Sequence, residues 1–426
     1  MNLIRNNLKT LIWAGFSVML YIIASQVFHF PEPVTWVFRT IILFLLLQGI
    51  RKYAPFRTID KYGYIITCAF ILWLIIGFLR SCHYAEGYWM WKFIINNLLT
   101  TLFYSIILIG SNPYWLQGLY RCFWKYYLPL IGISILLLHD PGYLNYLPYS
   151  TLLLFFALIP GKRKWFLLGI VLFFFITQEQ RNDMIKMLVA SVIGLSISYS
   201  GKIIPSWFFK CIHAVLLVLP IVLLSLGVSG KFNVFKMDEY IKGNYELKAK
   251  GSDGQYYKDN LKADTRTAIY ENVFYTMNKY NAWITGRSPA FGDEGPLWVD
   301  RGKDETTKLI GRYGNEVGIL DILLWYGLIG VILFFLMYIR ASYLAIYKSR
   351  SIYMKGIGIY TAFLWTWSFI WEKPLFETFF MMNIIFLGVC FSEPFRMMTN
   401  KDMQQWVKGI FLIKKQKRYE SSLGIS

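Results

Sequence analysis

The chain has 426 residues, of which 56% are apolar, 19% aromatic and only 16% charged. A soluble globular domain carries about 25% charged residues, so these proportions exclude that class and point to a protein that crosses a membrane many times. The formal net charge of +19 raises the possibility of a nucleic-acid binder. The basic residues, however, sit in short loops between apolar runs, where they set topology and attract anionic lipid, and no nucleic-acid partner is expected.

At about 20 apolar residues per span, roughly twelve spans are expected: 11–28, 34–50, 62–79, 93–110, 124–138, 143–160, 165–177, 184–200, 207–228, 317–339, 356–371 and 375–392. The predicted fold is an all-α polytopic membrane helix bundle with one large external loop. Residues 1–228 hold the first nine helices, 229–316 the loop, 317–392 the last three helices, and 393–426 a basic tail. Arg5 and Lys9 precede the first span as in a signal peptide. No small-residue cleavage site follows, so a retained helix is expected.

Counting loops alternately from a cytoplasmic N-terminus gathers RKYAPFRTIDK, GKRK, RASYLAIYKSRSIYMK and KKQKR on one side. That side holds more than half of the basic residues, and the positive-inside rule makes it cytoplasmic. Trp and Tyr crowd the span ends, as in YWMWK and WTWSFIW, in the manner of an interfacial belt. Cys68, Cys82, Cys122, Cys211 and Cys390 show no metal-ligand spacing and specify no disulfide framework.

The run FFFITQEQRNDMIKML breaks from apolar to charged and back within six residues. Arg181 in this external loop either forms local ion pairs with Glu179 and Asp183, or is an anion-binding guanidinium that holds phosphate oxygens bidentately. The long loop contains DTRTAIYENVFYTMNKY, where Asp264 and Thr265 are N-cap candidates and Ile269, Val273, Met277 and Tyr280 recur at helical spacing. That pattern predicts an amphipathic helix over 264–280. The glycine- and proline-rich WITGRSPAFGDEG predicts turns. Glu316 stands at the mouth of the tenth span, and Asp321 lies more than a turn deeper. There a carboxylate is expected to face the bundle interior and pair with a basic residue. Glu372 and Glu377 are read as edge residues of the last external turn.

Between residues 165 and 340 the chain resembles the bacterial O-antigen polymerase and O-antigen ligase group of membrane glycosyltransferases. The resemblance rests on the external Arg181, on R-x-x-x-Y from Arg266 to Tyr270, on the G-R-S-x-x-F-G turn at 286–292, and on a polar residue heading a span that ends in YGLIG at 326–330. Ligases carry a His-Asn pair where this chain has Glu316 and Val317, and no His occurs in the long loop. NEVGILDILLWYGLIG is therefore more similar to the polymerase branch.

The resemblance implies transfer of a glycan from undecaprenyl diphosphate to a sugar hydroxyl of a second undecaprenyl-linked repeat unit, at the periplasmic face of the inner membrane. Such a reaction needs cations around the diphosphate leaving group and a base for the acceptor hydroxyl. No D-x-D motif stands in the external segments, so the cations are expected to be arginines, with no metal and no other cofactor. Arg181 and Arg266 are expected to be catalytic, with Glu316 as the base or, alternatively, a helix cap. Arg287, Arg312, Asp321 and Tyr270 are expected to bind substrate, with a surface residue as the alternative reading of Arg312. The expected partners are undecaprenyl-diphosphate-linked oligosaccharide and polysaccharide, membrane lipid and a chain-length regulator protein. A ligase acting on lipid A core is the alternative, and a polysaccharide-lipid flippase a third reading. A flippase would place polar residues through the membrane depth rather than on one face.

Overall fold

A computed structural model describes residues 2–28, 30–53, 58–138, 148–177, 181–200, 204–236, 246–250, 256–260, 266–296, 311–371, 376 and 378–411. These form a helical bundle together with one antiparallel hairpin, which was not expected. Its strands are β1 (Glu246–Lys250) and β2 (Tyr256–Asn260), in a register that pairs Glu246 with Asn260 and Lys250 with Tyr256.

Among the described residues five apolar stretches are long enough to cross a membrane: Glu32–Ile50, Lys61–Tyr84, Gly87–Gly110, Ser206–Val228 and Gly318–Tyr347. Ile12–Ser25, Met184–Ser198 and Phe380–Phe391 are shorter apolar helices. The helix Ser206–Val228 carries exposed apolar side chains such as Val215, Val218 and Leu219 on its outer face. Helices that are apolar all round and only partly buried by protein belong in lipid.

The centre of the bundle is the helix after the long loop. In chain order the helices used below are α1 (Asn2–Phe28), α2 (Glu32–Tyr53), α3 (Lys61–Tyr84), α4 (Gly87–Phe103), α5 (Ile106–Gly110), α6 (Pro113–Cys122), α7 (Leu128–Leu138), α8 (Tyr149–Leu154), α9 (Arg163–Thr177), α10 (Arg181–Ser200), α11 (Ser206–Val228), α12 (Thr267–Lys279), α13 (Gly318–Tyr347), α14 (Ile352–Trp367), α15 (Thr378–Phe391), α16 (Glu393–Met397) and α17 (Asn400–Phe411). Helix α13 packs against α3, α11, α12, α14 and α15.

Several expected spans differ in detail. The one at 124–138 is the end of a longer rod, because a π-helical turn at Phe123–Tyr127 joins α6 to α7. The one expected at 143–160 is, from Tyr149 on, the six-residue α8 followed by a 3₁₀ turn at Phe156–Leu158. Gly194 of α10 lies directly on the Leu153 carbonyl, so α8 packs by its backbone. The tail begins as helix: Met403, Trp406 and Val407 of α17 are buried, and α17 packs on α6.

Broken backbone is made good by neighbours, as the absence of water in lipid requires. Pro220 inside α11 leaves the Leu216 carbonyl without its usual N–H. Thr366 Oγ1 donates to that carbonyl at 2.6 Å, and Trp365 Nε1 donates to the next, Leu217 O, at 3.2 Å. These bonds fix α14 against α11. At the same end as the start of α3, Asp60 caps that helix through Gly63 N at 2.8 Å and takes the Arg340 guanidinium at 2.9 and 2.8 Å.

Candidate functional site

Gly327 interrupts α13 with φ 67° and ψ −169°, in a region open only to glycine. The backbone groups freed there pair with the turn-rich segment of the long loop. Arg287 N donates to Leu324 O at 2.7 Å and Ser288 N to Trp325 O at 3.1 Å. In return Leu328 N donates to Trp283 O at 2.7 Å, and Ile329 N to Ile284 O at 3.3 Å. Arg80 of α3 fastens the same turn from the other side, donating to Thr285 O at 2.7 Å and Gly286 O at 2.8 Å. The G-R-S turn and the YGLIG break are thus two halves of one backbone lock.

Helix α12 begins at Thr267 with Arg266 at its N-cap position, where no side chain caps it. The expected caps Asp264 and Thr265 lie outside the described residues. Ile269, Val273 and Met277 are buried as the periodicity predicts. Tyr280 is not: it is 41% exposed, at the C-cap position beyond the last helical turn. The R-x-x-x-Y spacing acquires a structural meaning, because residues four apart share a helix face. Tyr270 Oη donates to Phe369 O at 2.7 Å and Arg266 Nε to Ile370 O at 3.2 Å, two consecutive carbonyls just past α14. Burial pushes the Tyr270 phenol far above its ordinary value, so it acts as a fixed hydrogen-bond donor rather than as an acid.

Glu316 receives both of the nearby guanidiniums. Arg266 Nη1 lies 3.0 Å from Oε2, and Arg312 Nη2 lies 3.3 Å from Oε1. The Arg266 guanidinium also stands 5.5 Å from the Trp371 ring centre. The Glu316 side chain is 38% exposed, so the bridged carboxylate remains open on one side.

Asp321 is buried in the first turn of α13. One of its oxygens accepts from Asn315 N at 2.7 Å, which holds the approach to Glu316 in place. A carboxylate there also complements the helix N-terminus. Asn315 is fully buried, and neither of its amide atoms finds a hydrogen-bond partner among the described residues. Sequence reasoning passed over it, and the adjacency to Glu316 was its only signal.

Arg287 belongs to a second cluster. Nη1 lies 2.9 Å from Glu294 Oε1 and 3.0 Å from Gly292 O, and the guanidinium stacks 3.7 Å from the Tyr280 ring centre. Glu294 also accepts from the Tyr280 hydroxyl and from Lys279 at 3.5 Å. Burial alone would raise the Glu294 carboxyl, but Tyr280, Arg287 and Lys279 outweigh it and hold the group below its usual range. The charge of Arg287 is therefore committed to the turn. An isolated β-bridge between Asp293 and Arg312 joins the two clusters, with N–H to O distances of 3.0 and 3.1 Å. The side chain of Arg181, together with Glu372 and Glu377, lies outside the described residues.

Beside Arg266 opens a cavity of about 420 Å³. Leu224 and Val228 of α11, Thr267, Tyr270 and Phe274 of α12, and Phe369 and Ile370 line it. A second apolar cavity of about 310 Å³ shares Leu224, Tyr270, Phe274 and Phe369 with the first. The arrangement is a carboxylate bridged by two guanidiniums next to a largely apolar space, whose lining residues Thr267 and Ile370 adjoin Arg266. Among the described residues no group of three or more His, Cys, Asp or Glu side chains is placed to hold a metal ion. No protein-family model, curated protein or solved structure matches the chain.

Proposed function

We propose that the chain is a polysaccharide polymerase of the bacterial inner membrane, of the O-antigen or a related surface-polysaccharide kind. It transfers a glycan from undecaprenyl diphosphate to a sugar hydroxyl of another undecaprenyl-linked repeat unit. The observation that carries this reading is the bridge Arg266–Glu316–Arg312, with Arg266 adjoining the Thr267 and Ile370 wall of the cavity beside α11. In this reading about twelve spans cross the membrane, both termini are cytoplasmic and residues 229–316 are periplasmic. Supporting it, the end of α11, the start of α12, the start of α13 and the end of α14 meet at the cavity and at Glu316.

The donor diphosphate replaces the Glu316 carboxylate between Arg266 and Arg312, since guanidiniums bind phosphate oxygens as they bind carboxylate oxygens. Its polyprenyl chain follows the apolar cavity past Tyr270 and Phe274. The acceptor oxygen attacks the anomeric carbon as the bond from that carbon to the diphosphate breaks. The arginines stabilise the charge that gathers on the leaving group. Glu316, released from its two partners, takes the acceptor's proton. Arg181 is a further diphosphate ligand, while Arg287 and Asp321 hold the surrounding backbone. A chain-length regulator is the protein partner. A ligase would share the donor half of this site; Glu316 in place of a His favours the polymerase.

The test is chain growth by the purified protein on synthetic undecaprenyl-diphosphate repeat units, with lipid binding measured separately. The wild type should give a ladder of products, and Glu316→Gln should slow it by about 10²- to 10⁴-fold with binding retained. Near wild-type turnover in the variant would remove Glu316 as the base. Transfer to a lipid A core acceptor with no ladder would replace the polymerase by a ligase.

A further inference from the structure

A further apolar groove lies near α17, the helix that packs beside the start of α14. Helix α14 starts beside α17, where Ser351 Oγ donates to Asn400 Oδ1 at 2.9 Å, and ends about 24 Å away beside Arg266. The groove, about 710 Å³ in volume, runs between α7 and α9 and is lined only by apolar residues. Trp124, Leu128 and Gly132 stand on one side, Trp165, Gly169 and Phe173 on the other. A Cβ built on Gly132 or Gly169 would meet no atom within 4 Å, so the backbone itself forms the floor.

Cations crowd the end of the groove where α7 and α9 both begin. Phe411 gathers them: its ring centre is 5.0 Å from that of Trp124 and 5.5 Å from the Arg163 guanidinium, and its carbonyl accepts from Arg163 Nη1 at 3.4 Å. Lys164 Nζ stands 5.1 Å from the centre of the groove-lining Trp165 ring. Lys162 is the chain neighbour of Arg163, and Lys125, one residue on from Trp124, stands over the Tyr126 ring at 4.8 Å on the side of α1. Among the described residues none of Lys125, Lys162, Arg163 and Lys164 forms an ion pair, whereas Arg266, Arg287 and Arg312 are each joined to a carboxylate. Among the described residues no carboxylate compensates the charge at this mouth.

We propose that this groove binds an anionic diacyl phospholipid. The headgroup phosphate is held by Arg163 and Lys164, with Lys125 and Lys162 adding to the field, and acyl chain lies against Gly132 and Gly169. A transmembrane helix of another protein would suit a glycine-floored groove, but its apolar surface would leave the four cations unneutralised. A zwitterionic lipid brings its own ammonium to the phosphate. Charge complementarity therefore selects an anionic lipid. The inference depends on membrane residence and not on the proposed reaction.

The test is native mass spectrometry of the full-length protein in mild detergent, titrated with phosphatidylglycerol or phosphatidylcholine. The wild type should retain phosphatidylglycerol preferentially. Each cation near the headgroup contributes about fivefold, so Lys162→Gln combined with Lys164→Gln should lower retention about thirtyfold. Gly132→Leu and Gly169→Leu fill open space without changing charge, and should lower retention of both lipids. Millimolar inorganic phosphate should leave the adduct in place. Equal retention of the two lipids, unchanged adducts in both kinds of variant, or displacement by phosphate alone would overturn the proposal. So would a dimer that takes the place of the lipid adduct and is lost in Gly169→Leu.

Discussion

Gly286 and Gly327 approach each other backbone to backbone, although 41 residues separate them in the chain. A Cβ on Gly327 would lie 2.5 Å from Gly286 N, and one on Gly286 would lie 2.5 Å from Trp325 O. Both residues have positive φ, 72° and 67°. The close approach lets the long loop supply the hydrogen bonds that the interrupted α13 cannot make for itself.

Gly327→Ala should therefore abolish stable folding. The backbone conformation alone costs a residue with a Cβ about 1 to 3 kcal/mol, and the overlap with Gly286 adds to it. Detergent-solubilised protein should elute as aggregate on size exclusion, while Gly169→Ala, placed in open space, should elute as the wild type does.

Arg266 and Arg287 should separate cleanly in mutagenesis. Arg266→Ala should abolish chain extension at normal protein level, and Lys should rescue poorly for want of the planar fork. Arg181→Ala should do the same. Arg287 is 7% exposed and pairs with Glu294, so Arg287→Ala should cost stability, about 3 to 5 kcal/mol for breaking a buried pair from one side. Complementation of a polymerase-null strain, with ladder gels and immunoblots, reads activity and protein level together. Full activity in both the Arg181 and Arg266 alanine variants would reduce these residues to surface ion pairs.

Two carboxyls set an acid limit to stability. Glu294 is held below the ordinary 4.5 of a glutamate and Asp60 below the 3.8 of an aspartate. For Asp60, burial acts upward, and the guanidinium of Arg340, the Gly63 N–H and the charge of Arg396 overcome it. A carboxyl that titrates lower folded than unfolded contributes stability that is complete above its unfolded value and is lost as pH falls through its folded value. The apparent melting temperature in detergent should be flat above about pH 5 and fall toward pH 3. Glu294→Gln and Asp60→Asn should each start lower and flatten part of that slope. An unchanged slope in both would place the acid sensitivity elsewhere.

Topology follows from the loop charges. A reporter fused near Gly254 should be active only in the periplasm, and one near Arg350 only in the cytoplasm. The reversed pattern would remove the periplasmic site from the proposal.

The sequence by itself determined the material of the fold. Apolar runs long enough to span a bilayer are visible as composition, and the buried stripe Ile269, Val273 and Met277 is visible as period, because both are local properties of the chain. It also picked out Arg266, Arg312 and Glu316, since charged residues beside apolar runs are conspicuous. Only the tertiary structure decided what each charge does. Arg266 and Arg312 meet on Glu316, whereas Arg287, no less conspicuous in the sequence, is taken up by Glu294 and Tyr280. Asp321 accepts from the backbone of Asn315, and the purpose of Gly327 becomes apparent only when the turn at Gly286 is beside it. The physical reason is common to all four. The partner of a guanidinium, a carboxylate or an interrupted helix is whatever group lies within about 3 Å in space; apart from Arg312, only four residues before Glu316, that group comes in this chain from 6 to about 50 residues away or from another helix, a distance that no local pattern encodes.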